Sequence, residues 1–361
     1  MDSFAFIIHP ISVKRDVSRK YPFLGRVLSE RQIEFFSQFF PPVYISEIEG
    51  ITSAATGCAI KGWLIACPFT PRQMVELPEA RVYRKIVQTG RMAERLGAQI
   101  LGLGAFTSVV GDAGVTIARA LDVPVTTGDS YTVWVAVQAI CKAAEQMEIP
   151  LESATAAVVG ATGAIGRVCA ELLADEVARL ILIGRRAEAL EELRDRLKGH
   201  ARSELVVSTS MDALAEAQLI LTVTSAIHDV IHPEDLRPGS VICDVARPRD
   251  VSAMVAAARD DILVIDGGMV DVPGPVDFHF NFGFPPGKAY ACMAETMALA
   301  LEGRFEDYTL GKEITRQRVE EISAISERHG FRVSGFRSFE KEVTQAQIEA
   351  VRLNAKRAGR K

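Results

Sequence analysis

The stretch Ala154–Gly166, reading ATAAVVGATGAIG, limits what this chain can fold into more than any other. Thr155–Val159 is a short apolar run of the length of a buried parallel strand. Gly160, Gly163 and Gly166 follow at three-residue spacing, and RVCAELLADEVA then reads as an amphipathic helix. Strand, glycine turn and helix in that order are the setting in which such glycines hold a dinucleotide. Gly160 allows a tight turn, Gly163 lets backbone N–H groups approach a pyrophosphate, and Gly166 seats the helix close to the strand. The phosphate then rests on the positive end of the helix. The expected cradle is Gly160, Ala161, Thr162, Gly163, Ala164, Ile165 and Gly166. The alternative, an ordinary glycine-rich turn, fits the surrounding strand–helix–strand pattern poorly.

The next strand, Arg179–Gly184, ends in Arg185 and Arg186. An NAD site usually carries Asp or Glu at that strand end to hold the ribose 2′-hydroxyl. Two guanidiniums suit a 2′-phosphate instead, so the expected cofactor is NADP; solvated helix-start arginines are the alternative. Further strands read over 205–208, 219–223, 241–245 and 262–266, giving a six-strand doubly wound pattern. The loops 224–229 and 244–250 are expected on the nicotinamide side.

Size and composition leave room for a second domain. The 361 residues are 48% hydrophobic and 24% charged, with a net charge of −5, an ordinary balance for an α/β protein that does not point to nucleic acid as a partner. No apolar run reaches the roughly 18 residues of a transmembrane segment, and the N-terminus lacks the basic start of a signal peptide. The six cysteines show no metal-ligand spacing, so no metal site is expected; reduced thiols in a cytoplasmic protein are. The expected fold is α/β: a Rossmann-type doubly wound parallel sheet over 151–287, with a second α/β substrate domain built from 1–150 and the C-terminal helices 288–361. A strand reads over Phe4–Ile8 and a helix over Pro78–Leu96. The strand Ala98–Leu103 runs into the loop Gly104–Ser108, and Val123–Gly128 into Asp129–Thr132. Phe35, Phe36, Phe39 and Phe40 recur at helical spacing ahead of Pro41-Pro42, either as core packing or as the wall of an apolar tunnel or partner surface. Residues 271–287 read as a shaped crossover loop near the site, and the charged tail as a solvated helix that frays.

Cys292 falls in the first turns of a helix read over Lys288–Leu301. A helix N-terminus and the nearby Lys288 would both lower a thiol pKa. Glu295, one turn on, would raise it if ionised, or act as an acid or base. A thiolate beside a nicotinamide suits a reductase that takes an acyl group from a carrier thioester and releases an aldehyde. A small buried cysteine in an alanine-rich helix is the plainer alternative. Donors from Gly104–Ser108, Ser108 included, and from Thr126–Asp129, with Thr127 and Asp129, are candidates to steady an oxyanion. Residues 33–45 and 278–284 are candidates to line an acyl channel.

The motifs FAFIIHP near the start, LGLGAFTSVV at 101–110, TTGDSYT at 126–132, VGATGAIG at 159–166, LILIGRR, DGGMV at 266–270, AYACMAE at 289–295 and RHGF at 328–331 form an ordered set from about Phe4 to Phe331. In these the chain resembles the cyanobacterial long-chain acyl-[acyl-carrier-protein] reductases, as a distant member. The resemblance implies NADPH binding at Gly160, Gly163 and Gly166, and an acyl-cysteine on Cys292. It also implies acyl-carrier protein or acyl-coenzyme A as donor, and leaves a homo-oligomer open. The sequence departs from that family at Ala105, where a glycine is usual, and at Thr107, Asp129, Tyr131, Ala164 and the DVARPRD run. Two other readings stand beside it: an NADP-dependent dehydrogenase of the shikimate or quinate type, and a non-catalytic NADP-binding protein.

Overall fold

The computed structural model describes residues 1–10, 13–226, 228–246, 249–339 and 341–359. The chain divides into two compact units, one of residues 1–131, 270–314 and 318–332, the other of 132–269, 315–317 and 333–361. The boundaries differ from those drawn at 150 and 287. The helix Asp129–Gln146 carries the chain out of the first unit, and the main stretch of the second unit runs to Met269 before the chain returns to the first.

The first unit is built on a five-stranded sheet, β1 (Ser3–Ile8), β2 (Val43–Thr52), β3 (Ala59–Ala66), β4 (Leu101–Leu103) and β5 (Val125–Thr126), in the order β2-β3-β1-β4-β5. β3, β1, β4 and β5 run parallel; β2 pairs antiparallel with β3. Phe4, Ala5, Phe6 and Ile7 are all buried, as a strand covered on both faces requires. β2 escapes a reading by alternation because its buried isoleucines, Ile45, Ile48 and Ile51, stand three apart with pairs of polar or small residues between them, and its pairing with β3 shifts register twice. The helix Glu79–Leu96 turns Val82, Ile86, Thr89, Gly90 and Ala93 inward, and Gly97, at φ +86°, ends it.

A second helix of this unit, Ala291–Leu301, is buried along its whole length except at Cys292. It starts three residues later than the expected 288, because Lys288–Tyr290 form a short strand. A side chain at Gly102 of β4 would strike Thr296 and the Phe6 ring, so this glycine sets how closely the helix lies on the sheet.

The second unit holds β6 (Thr155–Val159), β7 (Arg179–Ile183), β8 (Glu204–Ser208), β9 (Leu219–Thr222), β10 (Val241–Asp244) and β11 (Leu263–Asp266). They form one parallel sheet in the order β8-β7-β6-β9-β10-β11. This is the doubly wound order, and it reverses direction between β6 and β9, where such sheets open a ligand crevice. The expected Rossmann-type α/β architecture is therefore observed. Between β8 and β9 the chain makes only a 3-10 turn, Met211–Glu216.

The tail is more firmly held than expected. The helix Gln345–Ala358 is started by a Thr344–Gln347 capping box, buries Ile348, and ties Arg352 and Lys356 to Glu148. Arg360 and Lys361 lie outside the described residues. No helix among the described residues is long and apolar enough to cross a membrane.

Candidate active site

The glycine turn lies at the C-terminal end of β6, beside the point where the strand order reverses. Gly160 has φ +82°, and a side chain there would meet the Val223 carbonyl oxygen at 2.8 Å. Gly160 and Ala161 N–H groups donate to the Ile183 carbonyl, and a Cβ on Gly166 would collide with the Gly160 carbonyl. Gly160 and Gly166 are thus needed to bring helix Ala164–Leu173 against the strand, whereas a Cβ on Gly163 would make one tight contact, 3.2 Å from the Gly160 carbonyl oxygen. Gly163 caps this helix without a side-chain partner, leaving its first N–H groups open to an anion. Thr162, Ala164 and Ile165 keep partial exposure along the cradle, while Ala161 is buried. Arg185 and Arg186 follow β7, both exposed, and neither enters an ion pair among the described residues. A turn closed to side chains at Gly160 and Gly166, ahead of an uncapped helix start, suits the pyrophosphate of a dinucleotide.

Sequence reasoning missed what holds the loop facing that turn. Asp250 is fully buried and accepts from the Thr222 hydroxyl at 2.6 Å, the Thr224 N–H at 2.8 Å and the Thr224 hydroxyl at 2.5 Å. It pins the start of the 223–226 loop against Gly160. Nothing in the local pattern RPRD marks it, since its partners lie 26 and 28 residues earlier. Ile227, Arg247 and Pro248, from the two loops expected on the nicotinamide side, lie outside the described residues.

In the first unit the chemistry gathers around Cys292. Gly128, at φ +77°, sits so close to Cys292 that any side chain on it would overlap the cysteine backbone. The 126–131 loop therefore lies directly on the start of the helix Ala291–Leu301. Glu295, fully buried one turn along, locks the loop in place. Its Oε1 accepts from the Thr126 hydroxyl at 2.5 Å and lies 2.8 Å from the Thr309 hydroxyl, while Oε2 accepts the Tyr131 N–H at 2.8 Å. With its oxygens engaged by protein donors, Glu295 is a clamp for the loop that carries Thr127 and Asp129. Burial raises its pKa, and the Thr126, Tyr131 and Thr309 hydrogen bonds and the Arg318 charge oppose that rise.

The electrostatics of the thiol are the reverse of the expectation from helix polarity. Burial pushes the Cys292 thiol up to about 12, and the Asp129 and Glu295 carboxylates add to the rise; hydrogen bonds from the Met293 and Cys292 backbone offset it only in part. Lys288 is occupied elsewhere, donating to Asp271 at 2.5 Å. The neighbouring carboxyl moves in step: burial and the Glu295 charge raise Asp129 to about 7. The Thr127 hydroxyl near Asp129 opposes this slightly without closing a hydrogen bond of normal geometry. Among the described residues its buried Oγ1 has no partner. A thiol and a carboxyl are thus packed together, the second poised to titrate near neutrality.

Ser108 is brought into no comparable position. Its hydroxyl donates to the Ala105 carbonyl at 2.7 Å, and Thr107 folds back on Gly104 in the same turn. Ala105 itself has φ +49° and ψ −125°, a backbone that favours glycine. His9 completes the turn: its Nε2 accepts the Phe106 N–H at 3.0 Å, and burial lowers its pKa to about 4, leaving a neutral ring. A serine–histidine–carboxylate series elsewhere in this unit, Ser53–His329–Glu302, spans 2.8 Å at each step. Ser53 is buried and already accepts the Ala55 and Thr56 N–H groups, so the series is a structural brace. Among the described residues no group of three or more His, Cys, Asp or Glu could hold a metal ion.

The chain is 31% identical over 345 residues to the long-chain acyl-[acyl-carrier-protein] reductase of Synechococcus elongatus, covering 91% of this chain and 98% of that one. It belongs to the long-chain acyl-[acyl-carrier-protein] reductase family. Aminotransferase PigE of a Serratia species is 32% identical over 367 residues, 98% of this chain; the match spans only 42% of that longer protein. The shikimate / quinate 5-dehydrogenase family model matches residues 142–266, within the second unit. Among solved structures, L-tryptophan dehydrogenase from Nostoc punctiforme gives a loose likeness, with a TM-score of 0.43 at 12% identity over 98% of this chain and 88% of that one. Membership of the acyl-[acyl-carrier-protein] reductase family places the chain among the nicotinamide-dinucleotide-dependent oxidoreductases.

Proposed function

We propose that this protein reduces an acyl-thioester to an aldehyde with NADPH, through an acyl group carried on Cys292. The observation that carries the reading is a partly exposed thiol packed under the Gly128 turn beside a carboxyl raised to about 7. A general base works best when its pKa lies near the working pH. Asp129 takes the thiol proton as the sulfur attacks the thioester carbonyl. Its neutralisation removes one of the negative charges that raise the thiol. The bond from the acyl carbon to the carrier sulfur breaks as the bond to Cys292 forms, and the proton passes to the departing thiolate.

NADPH, when bound, supplies the hydride to the acyl carbon. The carbon–sulfur bond to Cys292 then breaks, the aldehyde leaves, and the sulfur takes up a proton. Thr127, whose buried hydroxyl has no protein partner, is the donor we assign to the carbonyl oxygen. Glu295 is a positioning residue, and Ser108 shapes the neighbouring turn. The glycine turn 160–166 holds the pyrophosphate, and Arg185 and Arg186 select the 2′-phosphate. Acyl-carrier protein or acyl-coenzyme A is the donor. An aromatic series that starts at Tyr290, the residue capping the Cys292 helix, lines the acyl path. It runs through Phe284, Phe282 and Phe278 with ring centroids 4.3, 5.3 and 4.9 Å apart.

The match to the shikimate / quinate family model supports a second reading, a ketone dehydrogenase, but it ends at 266, before the segment that holds Cys292. One experiment separates the readings. The full chain is incubated with acyl-thioesters of graded length, with and without NADPH, and the protein and products are followed by mass spectrometry. An acyl adduct on Cys292 that is discharged as aldehyde on adding NADPH is expected, with both absent in Cys292→Ser. Unchanged turnover in Cys292→Ser refutes the acyl-cysteine route, and binding of NADPH without consumption by any thioester leaves the non-catalytic reading.

A further inference from the structure

Every exposed phenylalanine and tyrosine among the described residues lies between positions 21 and 44. Phe23, Phe35 and Phe39 are 73%, 57% and 67% exposed, Phe36, Phe40 and Val27 are exposed as well, and the Phe35 ring meets those of Phe36 and Phe39 at centroid distances of 5.4 and 5.6 Å. The helix Glu30–Ser37 shows how deliberate this is: it turns Ile33 and Ser37 inward and Phe35 and Phe36 outward, the opposite of what a helix facing water does. Of the two readings of these phenylalanines, core packing is excluded, because the inward places are taken by Ile33, Ser37 and Gln73, whose amide donates to the Glu34 carbonyl.

The segment is tied to the rest of its unit. Gly25 lets helix Pro22–Val27 sit on Ser18, Lys20 donates to the Ile45 carbonyl, and Lys85 donates to the Phe40 carbonyl. Rings of this size bury about 150–250 Å² each. Half-exposed, they leave several hundred Å² of apolar surface, about the largest patch a monomer shows without a use for it.

Charge identifies the occupant. Residues 13–40 carry Lys14, Arg15, Arg19, Lys20, Arg26 and Arg31 against Asp16, Glu30 and Glu34, an excess of three positive charges in a chain whose net charge is −5. Exposed aromatics in a segment with an excess of basic residues suit the headgroup region of an anionic bilayer, where rings insert and cations meet lipid phosphates. A second copy of this chain fits less well, since a two-fold contact would press the positive face onto itself. We propose that residues 13–44 form a docking surface for an anionic lipid bilayer. The proposal stands apart from the reductase reading, because neither the cysteine nor the glycine turn enters it.

The test is flotation of the full chain with vesicles of pure phosphatidylcholine and of phosphatidylcholine with phosphatidylglycerol. Binding to the anionic vesicles that weakens as salt is raised is expected. The triple variant Phe23→Ser, Phe35→Ser, Phe39→Ser should lower the partition coefficient about tenfold or more. All three side chains are solvent-facing, so an unchanged circular dichroism melt checks that the variant folds. The variant Arg26→Glu, Arg31→Glu removes charge without touching the rings, and should abolish the preference for anionic lipid. Three results overturn the proposal: no flotation at low salt, equal flotation with both vesicle types, or both variants floating like the unmodified chain. Light scattering that finds a dimer in the unmodified chain and a monomer in the triple variant also overturns it, by assigning the face to self-association.

Discussion

Asp129→Asn isolates the carboxyl on which the proposed proton transfer turns. Asp129 is 7% exposed, and its pKa rises from the ordinary 3.8 to about 7 because burial and Glu295 disfavour its charge. A carboxyl whose folded pKa lies above its unfolded value holds its proton longer in the folded state. Its favourable contribution is whole below about pH 4 and is lost as pH rises toward 7. At about 1.36 kcal/mol per unit, a three-unit shift amounts to about 4 kcal/mol by pH 8, some 2–3 kcal/mol of it falling between pH 5 and pH 8. Asparagine carries no such penalty. Urea unfolding of both proteins at pH 5, 6, 7 and 8 should therefore give a stability difference that moves in the variant's favour by about 2–3 kcal/mol across the series, while acylation of Cys292 falls at least tenfold. A pH-independent stability difference would refute the buried-charge argument. A shift in stability with undiminished acylation would leave the electrostatics standing and remove Asp129 as the base.

Other consequences are as direct. Replacing Arg185 and Arg186 by alanine should weaken NADPH about 10- to 100-fold by calorimetry and leave NADH binding within twofold; an equal loss for both would rule out a role in 2′-phosphate selection. Gly128→Ala adds a methyl group against the Cys292 backbone at φ +77° and should cost about 2–4 kcal/mol of stability, with loss of the acyl adduct; a melt unchanged within error would mean the loop does not rest on the cysteine. Ala105→Gly should relieve a strained backbone and raise stability by about 1 kcal/mol in chemical denaturation, strain of about 1–3 kcal/mol being partly offset by the freer unfolded glycine; a loss of stability would show that the turn is not strained.

Local sequence determined the nucleotide unit almost completely. β6, the glycine turn and the following helix lie within twenty residues, and the apolar runs of β7 to β11 are separated by ordinary helices and turns, so composition and spacing report the sheet directly. Cys292 was also legible as a residue of interest, through its place near a helix start. Its surroundings were not. The carboxyl that raises the thiol is 163 positions earlier in the chain, and the clamp of Glu295 is assembled from Thr126, Tyr131 and Thr309. Desolvation, which dominates both pKa values, is a property of packing and has no local pattern. The phenylalanines of 35–40 make the same point: their spacing announces a helix with an apolar stripe, and only the fold decides which side of that helix meets water. Periodicity along the chain thus fixed the elements, while charge states and exposed faces were set by groups that only the tertiary structure brings together.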